Sequence, residues 1–175
     1  AQYLKGSGGI FRDMLIHDFD IFRWILCGDG DEAEWLAATG SCLVDPEIAT
    51  VGDIDSAVVT IRTRKGRLAQ LNASRRAAYG YHQRFEVLGS AGMLQCGNHR
   101  PSEVVQSDAT GVHADKPENF FLQRYREAYR LEVQHFFETL QSGGEFRTTI
   151  PDGVAAQRLA DAASEAGRSG LPVRF

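Results

Sequence analysis

Long apolar runs are missing from this chain. The longest span only a few residues, far short of the roughly 20 that a membrane-spanning helix needs, and no charged-then-apolar leader opens it. Positive charge is also in short supply: 19 lysines and arginines stand against 23 aspartates and glutamates. The resulting charge of −4 argues against a surface built for nucleic acid or an anionic membrane. Cysteine is scarce and odd in number. Cys27, Cys42 and Cys96 show no C-x-x-C spacing, so neither a disulfide framework nor a structural zinc site is expected, and three reduced thiols suit a cytoplasmic protein. Internal repeats, low-complexity tracts and linkers are absent as well. What is present is 175 residues, 43% of them hydrophobic and 24% charged, which suits one ordinary domain with a proper core rather than a disordered chain.

Periodicity divides the chain into helix, then strands, then helices. Residues 9–27 read as a helix that Gly28 ends from the left-handed position. Strands are expected at 34–44, at 56–63 and 67–75 across the Lys65-Gly66 turn, and at 83–88 and 92–96 across Ser90-Ala91-Gly92. Residues 118–141 carry Phe121, Tyr125, Tyr129, Val133 and Phe137 at intervals of four, the spacing of a helix that Gly143-Gly144 closes. Pro151 opens another helix, reaching about Arg168. This order is α+β; a doubly wound parallel sheet would alternate strand and helix. Gly6-Ser7-Gly8 imitates the start of a dinucleotide-binding fingerprint, but Phe11 stands at the third glycine position and no apolar strand precedes it.

The first helix holds most of the chemistry. Asp13 and His17 are four apart, so on a continuous helix they lie one above the other, within hydrogen-bonding reach. An imidazole held by a carboxylate is the simplest device for moving a proton near neutral pH. At about 100° per residue, Asp13, His17 and Asp20 fall in one sector with Trp24 beside them, opposite Phe11, Met14, Leu15, Ile21, Phe22 and Ile25. Asp18 falls in the apolar arc and needs an arginine or backbone donors as partners. A metal bound by Asp13, His17 and Asp20 is a weaker reading. His82, His99, His113 and His135 give no second histidine at i, i+4 spacing, and no metal is expected.

The run Gly8-Gly9-Ile10-Phe11-Arg12-Asp13-Met14-Leu15-Ile16-His17-Asp18-Phe19-Asp20 resembles the signature helix of inositol 2-dehydrogenases. These belong to the glucose–fructose oxidoreductase/inositol dehydrogenase/MocA-like family of NAD(P)-dependent enzymes. The resemblance continues through Leu43-Val44-Asp45-Pro46, Gly52-Asp53-Ile54-Asp55 and Ser74 to Arg84, then Gly111-Val112-His113 and Phe120 to Tyr125. It implies that residues 1–175 are a single C-terminal substrate-binding and oligomerisation domain, an open, largely antiparallel sheet with helices packed on one face. The N-terminal Rossmann domain would be absent, and with it the family's lysine and most of the NAD site. The resemblance also implies that Asp13 and His17 are catalytic and bind substrate, and that Tyr79 contacts substrate. His82 departs from the family motif Tyr-Gly-Tyr-Asp-Gln-Arg by replacing its acid, which bears on the choice among inositol isomers.

The leading expectation is thus the substrate domain of an NAD-dependent inositol dehydrogenase, oxidising myo-inositol to its 2-ketone and inactive alone. A chain that starts a few residues before the signature helix is expected to be part of a longer protein. Two other functions stay open on the residues: a non-catalytic polyol-binding or assembly module, and a metal-assisted hydrolase or isomerase. An open sheet face rich in β-branched residues also predicts a homodimer or homotetramer, a use of the face that the family resemblance implies.

Overall fold

The computed structural model describes residues 2–175. They divide into two compact units, one made of residues up to Arg76 together with Arg147–Phe175, the other of Ala77–Phe146.

The first unit begins with three short helices, α1 (Gln2–Ser7), α2 (Ile10–Asp13) and α3 (Ile16–Leu26). A four-stranded antiparallel sheet follows, formed by β1 (Ala33–Ser41), β2 (Ser56–Thr63), β3 (Leu68–Ser74) and, from the chain end, β8 (Val173–Arg174), in the order β3-β2-β1-β8. Between β1 and β2 lies α4 (Pro46–Thr50), whose N-cap Asp45 accepts the Glu47 amide. The long helix α7 (Ile150–Ser169) returns before β8. Strand β2 shows why one face is covered: Ala57, Val59, Ile61 and Thr63 are buried, while Val58 between them is exposed. Onto the inner face pack Ile10, Leu15, Phe19 and Phe22 from the N-terminal helices, and Ala156, Leu159, Ala160, Ala163 and Ala166 from α7. The alanine face lets α7 approach closely; a Cβ on Gly167 would meet the Phe11 ring at 3.2 Å. Helix α7 starts at a capping box, with Asp152 accepting from the Thr149 amide at 2.9 Å, and ends at Gly170 in the left-handed conformation.

The connection from β1 to β2 is organised by Asp55, which is fully buried. Its carboxylate accepts the amides of Leu43, Val44 and Asp45 at 2.8–2.9 Å and the Ser56 hydroxyl at 2.8 Å. Burial pushes this carboxyl up, but those donors outweigh it and hold it well below the usual carboxylate range.

The second unit contains two hairpins, β4 (Phe85–Gly89) with β5 (Gly92–Cys96) and β6 (Val105–Asp108) with β7 (Gly111–Ala114), then α5 (Phe121–Arg124) and α6 (Arg126–Ser142). Tyr81 packs against Phe121 and Tyr125, and its amide donates to Glu118 O at 2.7 Å. At Gly80 (φ 132°) a Cβ would stand 2.7 Å from Pro117 O, so no side chain fits there.

The α+β class and the open antiparallel sheet with helices on one face are as expected, and β2, β3, α6 and α7 lie within a residue or two of their expected ends, apart from the N-terminal end of α6. Three expectations need correction. The helix over 9–27 is broken at Met14–Leu15. Gly28 does not take the left-handed position; Gly30 does, with φ 78°, because Cys27 itself caps α3 through the Arg23 carbonyl. The helix expected over 118–141 starts only at Phe121 and is interrupted at Tyr125.

Candidate active site

Gly8 and Gly9, with φ of 82° and 85°, lead the chain into α2. A Cβ on Gly9 would lie 3.2 Å from Asp53 Oδ1, so glycine both permits the turn and leaves room for that carboxylate. Asp53 Oδ1 then accepts the Ile10 amide at 3.2 Å, satisfying a free donor in the first turn of α2.

Asp13 stands at the other end of α2, and the expected pairing with His17 does not form. The Leu15 amide donates to Ile10 O at 3.1 Å, five residues back, beside the regular Met14 bond to the same oxygen at 3.1 Å. This wide turn separates α2 from α3 and breaks the regular spacing on which the pairing depended. Among the described residues, Asp13 bonds instead to Arg75 and Tyr3. Arg75 Nη1 donates to Asp13 Oδ2 at 2.7 Å, and the Tyr3 hydroxyl donates to Oδ1. That bond, made to an anionic oxygen, raises the Tyr3 phenol above its ordinary value. Arg75 Nη2 donates to Asp53 Oδ2 at 2.8 Å. One guanidinium, sited just beyond β3, thus bridges carboxylates at both ends of α2. The side chains of Asp13, Arg75 and Asp53 are only 13%, 11% and 9% exposed, which makes this a desolvated charge cluster rather than a surface one.

His17, on the first turn of α3, is exposed and forms no hydrogen bond among the described residues, which leaves its ring nitrogens available to a ligand. Asp20 is half-buried with Arg23 Nη1 at 3.9 Å, and Trp24 is exposed on the same helix face. Asp18, like Ile21 and Ile25, is half-buried, and it has an interaction partner.

In the second unit, the Tyr79 hydroxyl lies 2.6 Å from His82 Nδ1, with the rings edge to face. Arg84 Nε donates to His82 Nε2 at 3.2 Å, and Asn98 Nδ2 is 3.1 Å from Nδ1. The imidazole is therefore held from both sides and orients the phenol. Tyr79 and His82 are both exposed.

The family description "Oxidoreductase family, C-terminal alpha/beta domain" matches residues 2–175. The chain belongs to the Gfo/Idh/MocA oxidoreductase family. Among relatives in the family, it is 44% identical to the inositol 2-dehydrogenase of Rhizobium meliloti over 163 residues, 93% of this chain and 48% of that protein. The crystal structure of a myo-inositol dehydrogenase from Corynebacterium glutamicum is 40% identical, with a TM-score of 0.93 over 99% of this chain and 51% of its own. The scyllo-inositol dehydrogenase of Lactobacillus casei, solved with NAD(H) and scyllo-inositol bound, is 27% identical with a TM-score of 0.89, over 99% of this chain and 51% of its own. The chain spans about half the length of these relatives.

The Gly6-Ser7-Gly8 run does not have the surroundings of a dinucleotide cradle. Gly6 and Ser7 are the last residues of helix α1 and Gly8 follows it, whereas a nucleotide fingerprint needs a strand before it and a helix opening behind it. Arg75 and Asp53, the partners that fix Asp13 and α2, lie in runs that carry the family resemblance, but nothing in the sequence paired them with Asp13. The demand of a half-buried Asp13 for a cation was the one available clue, and several arginines could have met it.

Proposed function

We propose that this chain is the substrate-binding and catalytic-residue-bearing domain of an NAD-dependent inositol 2-dehydrogenase, inactive by itself. The observation that carries this reading is the 40–44% identity, over nearly the whole chain, to proteins named as inositol dehydrogenases. In this reading one ring hydroxyl of myo-inositol donates a hydrogen bond to Asp13, and the reacting hydroxyl donates one to His17. As the alcohol becomes a ketone, its proton passes toward the His17 imidazole, which is exposed and unencumbered. When bound, NAD supplies the hydride acceptor; it would be held mainly by a Rossmann domain outside this chain. Tyr79, oriented by His82, offers its phenol to a further hydroxyl. The outer sheet face, where Val58 and Leu68 are exposed, would join copies into a homodimer or homotetramer. The protein would act in the cytoplasm; no helix is long and apolar enough to cross a membrane among the described residues.

NADH formation from myo-inositol, followed with the full-length protein, with this chain alone and with full-length His17→Ala, tests the reading. Turnover is expected only from the full-length protein, with a loss of about 10²–10⁴-fold in His17→Ala. Wild-type rates in that variant would remove His17 from the chemistry. Absence of turnover with every inositol isomer would favour a non-catalytic polyol-binding or assembly module.

A further inference from the structure

In the proposed reaction Asp13 has one task, to accept a substrate hydroxyl, and two oxygens with which to do it. Arg75 occupies Oδ2 at 2.7 Å, which leaves Oδ1, now bonded to the Tyr3 hydroxyl, as the oxygen that can exchange partners. The two partners differ sharply in freedom. Tyr3 is 68% exposed and sits on a one-and-a-half-turn helix, so a ligand hydroxyl can displace it. Arg75 is nearly buried and tied at three points: Nη1 to Asp13, Nη2 to Asp53 Oδ2 at 2.8 Å, and its own amide to Asp55 O at 2.8 Å. Asp55 is in turn locked by the three amides of the β1–α4 connection. The guanidinium is thus anchored to the sheet side of the fold, while the carboxylate it holds belongs to a four-residue helix with a broken turn behind it. A segment that short cannot set the direction of its own side chain to within the fraction of an ångström that catalysis demands.

We propose, on the reading of Asp13 as a substrate-binding group, that Arg75 is its positioning residue. By pinning Oδ2 from the end of β3, it presents Oδ1 to the substrate hydroxyl, and Asp53 keeps the fork from rotating. The planar fork is what the geometry requires, because the two carboxylates lie at different ends of α2 and each takes its own terminal nitrogen. A lysine carries the charge but reaches one carboxylate at a time.

The test is a double-mutant cycle in the full-length protein, measuring kcat/KM for myo-inositol in wild type, Arg75→Lys, Asp13→Asn and the double variant. Arg75→Lys is expected to lower kcat/KM by about 10- to 100-fold. The double variant is expected to fall no further than Asp13→Asn alone, since Arg75 acts through Asp13. Losses that multiply in the double variant would overturn the proposal, because a merely structural arginine affects turnover independently of Asp13. Failure of wild type to oxidise any inositol would sink the dehydrogenase reading by itself. The pairing is then judged by melting temperatures of Arg75→Met, Asp13→Asn and their combination: a non-additive shift upholds the clamp, and additive shifts discard it.

Discussion

Two polar clusters in this chain, one of guanidinium–carboxylate ion pairs and one of hydrogen bonds about an imidazole, stand at opposite extremes of burial. Around α2, Arg75 joins Asp13 and Asp53 with every side chain nearly buried. In the second unit, His82 joins Tyr79, Arg84 and Asn98 with its own ring, Tyr79 and Arg84 exposed to water. The shortest contacts do not separate them, 2.7 Å from Arg75 to Asp13 against 2.6 Å from Tyr79 to His82, although His82 also holds longer ones of 3.1 and 3.2 Å. Burial does. Where water is excluded, a lost partner leaves an uncompensated charge; where water is present, it takes the vacant place. A hydrogen-bond list alone would rank the two clusters together, and their energetics do not.

The sharpest way to break this comparison is to remove the central residue of each. Arg75→Met leaves two desolvated carboxylates facing an apolar stem and is expected to cost about 3–5 kcal/mol of stability, read as a fall of roughly 10 °C in Tm. Gly9→Ala comes next. It forces a side chain to a φ of 85° and crowds Asp53 at 3.2 Å, so a loss of about 1–3 kcal/mol is expected in denaturant titration.

A third effect shows only in acid. The Asp55 carboxyl is held well below its unfolded value, so its stabilisation is complete above the ordinary carboxylate pKa and is lost as pH falls toward the folded value. Melting curves of wild type and Asp55→Asn should therefore lie apart at neutral pH and draw together below about pH 4. A gap that stayed constant down to pH 2.5 would remove Asp55 from the acid sensitivity. The smallest effect is His82→Asn, expected to change stability by less than about 0.5 kcal/mol because water can replace each contact. If it matched Arg75→Met in Tm, burial would not be what distinguishes the clusters.

The parts of the fold legible in the sequence are those specified by neighbours along the chain. Strand β2 follows from its β-branched residues, β3 from the return across Lys65-Gly66, and α7 from Pro151 at its first turn. The less legible parts depend on small or distant determinants. Helix α4 and strand β8 are too short to show a period, and β6–β7 carries exposed residues on every position, so no alternation marks it. The same division runs through the candidate site. Asp13, His17 and Tyr79 could be named because they lie in recognisable motifs. Their partners could not be ranked by spacing.

The amino-acid sequence by itself determined that this is an α+β domain of the Gfo/Idh/MocA family and where its acid, imidazole and phenol lie along the chain. Only the tertiary structure decided what Asp13 touches. An i, i+4 rule holds while the hydrogen-bond ladder is regular, and the five-residue bond from Leu15 to Ile10 ends that regularity one turn too soon. Arg75, 62 positions away, becomes the partner because the sheet brings the end of β3 beside α2 and excludes water from the gap. Local periodicity records neither of those conditions.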